Sequence, residues 1–352
     1  SEVLGRPERC IHVHAVDVGG GFGAKLHVYP EDLLVSYLAL CTGRKIKFVE
    51  DRREHLQSTV HARQQEHRLE VAYDRDGRIL ALRGQVLVDV GASLHTKGNG
   101  PGFITARMLP QAYHIQAMDL EVLGVVTNKT PAGAYRGFGH PEAACAIEHA
   151  LDEIARELTL DPADVRRRNL RAPGDLKQPT VTGMRYDNGD YPRAFAKLLQ
   201  VMRYPELRRR QSEERRKGFL YGIGLSMHVE ACGFGPSRRL GKMGQNQGGY
   251  ETARLILDQT GELTLYTGLN PIGQGLETVL AQLAADAVGI HPDQVRIIAA
   301  DTDVCPYSGY GVGASRGAAV GGGAVILAGR RLRERLAAIA GHMLEVSAED
   351  LE

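Results

Sequence analysis

The sequence is poor in features that would let it hold a metal by itself. Its five cysteines, Cys10, Cys41, Cys145, Cys232 and Cys305, are scattered and form no C-x-x-C pair. That excludes an iron–sulfur or structural zinc motif carried wholly by this chain. The 13 histidines include no H-E-x-x-H, so any metal is expected to arrive inside an organic cofactor. No stretch approaches the roughly 20 apolar residues that would span a bilayer. Charge of one sign is lacking too: 43 Lys and Arg against 42 Asp and Glu leave a formal net charge of +1. No global basic field is left to hold nucleic acid or an anionic membrane surface. An odd cysteine count without a signal-like start fits a reducing, cytoplasmic compartment, where such residues are mostly small buried hydrophobes.

At 352 residues the chain is long enough for two lobes with separate cores. It begins at Ser1 and ends on Ser347-Ala348-Glu349-Asp350-Leu351-Glu352, where Ser347 and Asp350 resemble a capping box without room for its helix. On that pattern it reads as an internal piece of a longer chain.

One unit recurs: a β-like stretch, a glycine-rich loop, then a helix. The first copy has a strand over 12–18, the loop Gly19-Gly20-Gly21-Phe22-Gly23-Ala24-Lys25 and a helix over 31–40. The second has a strand over 122–127, the loop Ala134-Tyr135-Arg136-Gly137-Phe138-Gly139 and a helix from Pro141 to Leu158. The third joins a strand over 262–269 to Gly273-Gln274-Gly275 and a helix over 277–288. The fourth runs from Gly309 through Ala314-Ser315-Arg316 into a small-residue helix over 318–339. Alternating stretches 65–73 and 79–90 flank Asp74-Arg75-Asp76-Gly77, a strong hairpin signal, and 252–258 with 262–266 repeat it. The fold class is therefore α+β with mixed sheets. Two lobes of two units each are expected, over 1–217 and 218–352, joined by a charged helical segment near 204–217 whose arginines form a solvated face.

A glycine loop ahead of a helix lets backbone N–H groups approach an anion closely, and the helix terminus adds partial positive charge. Gly19-x-Gly21-x-x-Ala24 also satisfies the dinucleotide fingerprint, so an NAD-dependent dehydrogenase is an alternative. Pro30 and an acid as late as Glu50 or Asp51 count against it.

The loops together resemble the molybdopterin-binding large subunits of the xanthine oxidase, aldehyde oxidase and carbon monoxide dehydrogenase family. Gly19-Gly20-Gly21-Phe22-Gly23-Ala24-Lys25 is similar to the family's G-G-G-F-G-x-K, and residues 134–142 to its A-[YF]-R-G-F-G-x-P-[EQ] loop. Gly273-Gln274-Gly275-Leu276-Glu277-Thr278 is similar to G-Q-G-x-x-T, and Asp301-Thr302-Asp303 with Ala314-Ser315-Arg316 to D-T-D…A-S-R.

The resemblance implies that Gly20, Gly21, Phe22 and Gly23 approach the metal and pterin, and that Gln274 and Gly275 hold pterin edges. Ala314, Ser315 and Arg316 would bind the pterin phosphate, and Arg136 would orient substrate. It implies a metal held by pterin sulfurs, with no side-chain ligand. It further implies oxidative hydroxylation of a small organic substrate such as an aldehyde or N-heterocycle. The molybdopterin is expected in its cytosine dinucleotide form, with a [2Fe-2S] small subunit and an FAD medium subunit as partners.

Leu26 stands where purine hydroxylases carry a substrate-facing Glu, and Gly137 where copper-containing carbon monoxide dehydrogenases carry a Cys. Residues 224–230 and Gly235-Pro236-Ser237 look more like the carbon monoxide dehydrogenase branch. The family's general base, a Glu in a G-x-G-E segment, has no match, so the chain is expected to be inactive alone. A non-catalytic cofactor-binding or assembly chain is the other reading.

Overall fold

Alternation of apolar and polar residues on either side of Asp74-Arg75-Asp76-Gly77 produces a hairpin, as the sequence predicts. Strand β1 (Gln65–Tyr73) pairs antiparallel with β2 (Ile79–Gly91). Asp74 closes the turn by accepting from the backbone N–H groups of Asp76 and Arg78. In the computed structural model, which describes residues 2–95, 97–235, 237–242 and 248–351, the chain packs into two compact units. Ser1, Pro236 and Glu352, on which sequence expectations fell, lie outside the described residues.

The unit formed by residues 23–28 and 49–230 begins its regular structure with the short helix α2 (Arg52–Ser58). After the hairpin come α3 (Gly100–Met108), β3 (Ala117–Val126) and α4 (His140–Glu157), with β3 parallel to β2. Then follow α5 (Pro162–Asn169), α6 (Tyr191–Val201) and α7 (Tyr204–Arg216). Ile147, Leu151 and Ile154 repeat at helical spacing on α4 and share a core with Ile79, Leu82, Tyr113 and Phe195. Buried Arg166 fastens this core by donating to Glu148 at 2.7 Å and to Asp152 at 2.7 Å.

The other unit comprises residues 1–22, 29–48 and 231–352. It holds α1 (Pro30–Thr42) and α8 (Ser237–Lys242), then β4 (Ala253–Leu257), β5 (Leu263–Thr267), α9 (Leu276–Val288), β6 (Val295–Ala299) and α10 (Gly322–Leu344). Strands β4 and β5 form the second hairpin, and β6 runs parallel to β5. Leu276, Leu280, Ala284 and Val288 turn one face of α9 inward onto Leu263, Leu265 and Val325. Small residues bring α10 close to α9: a Cβ at Gly329 would lie 2.6 Å from the Ala287 Cβ.

Both sheets thus have the same plan, an antiparallel hairpin followed by a helical crossover to a parallel third strand. The α+β class with mixed sheets stands. The repeated unit differs from the four expected copies. Residues 12–18 form no strand, only a bridge between His14 and Asp301. The link from β2 to α3, which the sequence reading passed over, takes that place in the repeat.

The units also differ from the expected division at 217 and 218. Residues 12–15 join the C-terminal part because Ala15 N–H donates to Ala300 O at 3.0 Å and Thr302 N–H to Val13 O at 3.1 Å. Residues 218–230 stay with the other unit: Leu225 enters its core, and the Met227 and Val229 amides donate to Glu148 and Gln111. Helix α7 is regular and largely exposed, but Arg208 ties it to Asp161 at 3.1 Å, so it is no free joint. The expectation of buried cysteines fails: Cys10, Cys41, Cys145 and Cys232 are exposed and Cys305 is intermediate. Among the described residues no helix is long and apolar enough to cross a membrane.

Candidate functional site

Residues 19–22 of the first glycine loop adjoin the third and fourth loops within one unit, whereas Gly23 to Lys25 belong to the other. A Cβ on Gly273 would lie 3.1 Å from Val18 O and 3.6 Å from Gly20 N, so the Gly273-Gln274-Gly275 loop rests on the first glycine loop. A Cβ on Gly317 would come 3.0 Å from Leu276, which joins the Ala314–Arg316 turn to the start of α9. Among the described residues, the backbone N–H groups of Gly19 to Phe22, of Gln274 and Gly275, and of Ala314 to Gly317 donate to no protein acceptor. The Gln274 side-chain oxygen accepts from Ile272 N–H at 2.6 Å.

Ala314 and Ser315 are successive non-glycine residues with left-handed φ of 59° and 52°. Such residues cost about 1–2 kcal/mol each and persist only where surrounding contacts enforce them. Arg316, the next residue, anchors the end of that turn. It is fully buried, donates from Nε to Phe234 O at 3.1 Å and from Nη1 to Gly311 O at 3.0 Å, and pairs with buried Glu251. Its Nη2 and the Glu251 Oε2 are buried without a partner among the described residues. The expected phosphate contact of this arginine therefore has one nitrogen left to make it; the rest of the guanidinium shapes the turn. A π-helical turn, Gly317–Gly321, follows and leads into α10.

The Arg136 loop belongs to the other unit. Its side chain is exposed and makes no hydrogen bond or ion pair among the described residues. Two residues that the sequence reading missed hold the backbone around it. Arg63 donates to Arg136 O, pairs with buried Glu142 at 3.1 Å and lies 5.4 Å from the Tyr135 ring centroid. Buried His27 accepts from Ala134 N–H at Nε2, 2.8 Å away. No local motif marks either residue; both contacts cross more than 70 positions of sequence. At the far end of the loop, His140 donates from Nδ1 to Gly137 O at 2.7 Å and opens α4.

Burial, and then the neighbouring charges of His95 and Lys97, push the His27 pKa down from 6.5 to about 4. Neutral His27 accepting at Nε2 must carry its proton on Nδ1, which faces His95 Nδ1 at 3.1 Å. As pH falls from about 6.5 to about 4, the unfolded chain takes up this proton before the folded one does. Stability should therefore drop across that window by up to about 3 kcal/mol. Urea titrations by circular dichroism at pH 7 and pH 4.5 test this, with His27→Gln as comparison. An equal drop in the variant would assign the loss to other groups.

The first glycine loop does not have a dinucleotide-binding setting. No strand precedes it, and it opens into a single 3-10 turn, Ala24–Leu26, with α1 beginning only at Pro30. The phosphate of such a motif needs a helix N-terminus directly at the loop, so the NAD alternative lacks its structural basis.

Comparison with known proteins agrees with the loop chemistry. Residues 1–170 and residues 197–352 each match a family described as molybdopterin cofactor-binding domain. The nicotine 6-hydroxylase large subunit of Paenarthrobacter nicotinovorans is 36% identical over 99% of this chain and 42% of its own length. The carbon monoxide dehydrogenase large chain of Afipia carboxidovorans is 36% identical over 100% of this chain and 44% of its own. The crystal structure of quinoline 2-oxidoreductase from Pseudomonas putida 86 superposes with a TM-score of 0.92 at 37% identity, covering 98% of this chain and 44% of that one. The chain thus spans less than half the length of these relatives, and within that span it belongs to the molybdopterin-binding large-subunit family of the molybdenum hydroxylases.

Proposed function

We propose that these residues form the cofactor-holding part of a catalytic subunit that oxidatively hydroxylates a small organic substrate such as an aldehyde or N-heterocycle. One observation carries the reading: three adjoining loops present backbone N–H groups that have no protein acceptor among the described residues. A pterin with a phosphate tail is rich in the acceptors such loops lack. The orphaned Arg316 Nη2 fits the same anionic ligand. In this reading Gly20 to Gly23 approach the metal side of the cofactor and Gln274 and Gly275 meet the pterin edge. Ala314 and Ser315 bind phosphate on a turn held by Arg316. When bound, the cofactor supplies two-electron oxidation. We also infer the cytosine dinucleotide form and partner subunits carrying [2Fe-2S] and FAD, since this sequence has no cysteine spacing for a cluster of its own.

Arg136 then orients the substrate's acceptor atom or stabilises negative charge that develops as the carbon is oxidised. A copper-binding thiolate at position 137 is disfavoured here. Gly137 has φ of 95°, and a Cβ there would lie 2.6 Å from the Pro141 ring. Without that thiolate, an organic substrate fits the reading better than carbon monoxide does.

In the full enzyme, Arg136→Lys should keep molybdenum content while kcat/KM falls about ten- to a hundredfold. The lost charge-assisted, planar contact contributes roughly 1.5–3 kcal/mol. Full activity in this variant, or a copper-containing enzyme that oxidises carbon monoxide, would refute the assignment.

A further inference from the structure

We propose that His27 and Arg63 are positioning residues that clamp the backbone on both sides of Tyr135 and so fix where Arg136 stands. The inference rests on the substrate role given to Arg136 above and deepens it. Between Ala134 and Phe138 the loop supplies little of its own rigidity. Phe138 N–H donates to Tyr135 O at 2.7 Å, and the amides of Tyr135, Arg136 and Gly137 donate to no described acceptor. Gly137 O accepts from His140 at the start of α4, and what holds the Ala134–Arg136 stretch comes from farther away in the chain.

His27 takes the Ala134 N–H, and a Cβ on Gly133 would lie 2.5 Å from that same His27 Nε2, so imidazole and loop backbone are in direct contact. Arg63 takes the Arg136 carbonyl with one nitrogen and Glu142, in the first turn of α4, with another. The Tyr135 ring faces the same guanidinium. Arg63 itself has a left-handed φ of 79°, a conformation that a non-glycine residue keeps only when its contacts over-determine it. One planar cation therefore ties together a carbonyl, a carboxylate and a ring, which the point charge of a lysine cannot do at once. Arg136, whose own guanidinium has no described partner, inherits its position from these two residues. Catalytic groups displaced by about 1 Å can lose about a hundredfold in rate.

A double-mutant cycle on the full, cofactor-loaded enzyme tests this, with Arg63→Ala, Arg136→Ala and the pair. Three quantities are read: molybdenum content, kcat/KM, and amide hydrogen exchange at Ala134 and Phe138, the loop amides that have acceptors. Arg63→Ala is expected to keep molybdenum, speed exchange at least about tenfold and lower kcat/KM by about ten- to a hundredfold. Added to Arg136→Ala, it should change kcat/KM by less than about threefold, because it acts through the group already removed. His27→Ala should speed exchange at Ala134 and show the same lack of additivity. Arg63→Lys, the variant least at risk of misfolding, should fall between wild type and Arg63→Ala. Multiplicative losses in the double variant, or unchanged kcat/KM in Arg63→Ala despite faster exchange, would overturn the positioning role while leaving Arg136 in place. Full activity in Arg136→Ala would instead remove the functional reading, and the proposal with it.

Discussion

Arg316→Ala is expected to abolish cofactor retention and to destabilise its unit by about 3–5 kcal/mol, the usual cost of stripping one partner from a buried ion pair. Glu251 would be left 1% exposed at its side chain, with only the Ser308 hydroxyl, 3.0 Å away, still donating to it among the described residues. The Phe234 and Gly311 carbonyls would lose their donors at the same time. With them goes the anchor at the end of the turn that holds Ala314 and Ser315, so the turn should relax even where the unit stays folded. Arg316→Lys separates the two effects. It keeps a charge for Glu251 but cannot reach three acceptors in one plane, and it should rescue much of the stability and little of the cofactor. Urea midpoints and molybdenum content of the purified variants check both parts. Wild-type cofactor content in Arg316→Ala would show that the turn does not depend on this residue.

Gly23→Ala should cost about 2–5 kcal/mol, from overpacking together with a left-handed alanine. At φ of 105° its Cβ would fall 2.7–2.8 Å from Ala134 O, Ala134 C and Tyr135 Cα, all backbone atoms that cannot swing aside. Gly19→Ala is the matched control. Nothing lies within 4 Å of its Cβ, and the change should stay within about 0.5 kcal/mol. Circular dichroism melts of the two variants decide the matter, and equal stabilities would mean that the close approach of Gly23 to the Arg136 loop is not tight.

The two glycines also show how far the sequence could be read. In Gly19-Gly20-Gly21-Phe22-Gly23 every glycine looks alike, because the pattern records permissive backbone and not what stands opposite it. Local periodicity carried α4, α9 and both hairpins, where the apolar face, the turn residues and the burial agree. It failed at residues 12–18, whose apolar alternation ends in one bridge and exposed side chains at Val13 and Val16. Their partners, Ala300 to Thr302, lie nearly 290 positions away, beyond any local signal. The same non-local pairing moved the unit boundaries away from residue 217.

At the candidate site, the loops were legible because glycine, Gln, Ser and Arg recur at their tips. The supporting residues were not. Arg63 sits in an unremarkable Val60-His61-Ala62-Arg63 stretch, and His27 follows a motif already assigned to Lys25 and Leu26. Arg316 was legible as an anion-binding residue by type, yet its burial and its pairing with Glu251 depend on the fold.

Molybdenum content of the natural full-length subunit, purified from its own complex and measured by mass spectrometry against protein concentration, tests the central claim most directly. About one molybdenum per chain is expected, released together with a pterin on denaturation. A subunit that is fully folded and free of molybdenum, or one that releases a nicotinamide dinucleotide instead, would contradict it.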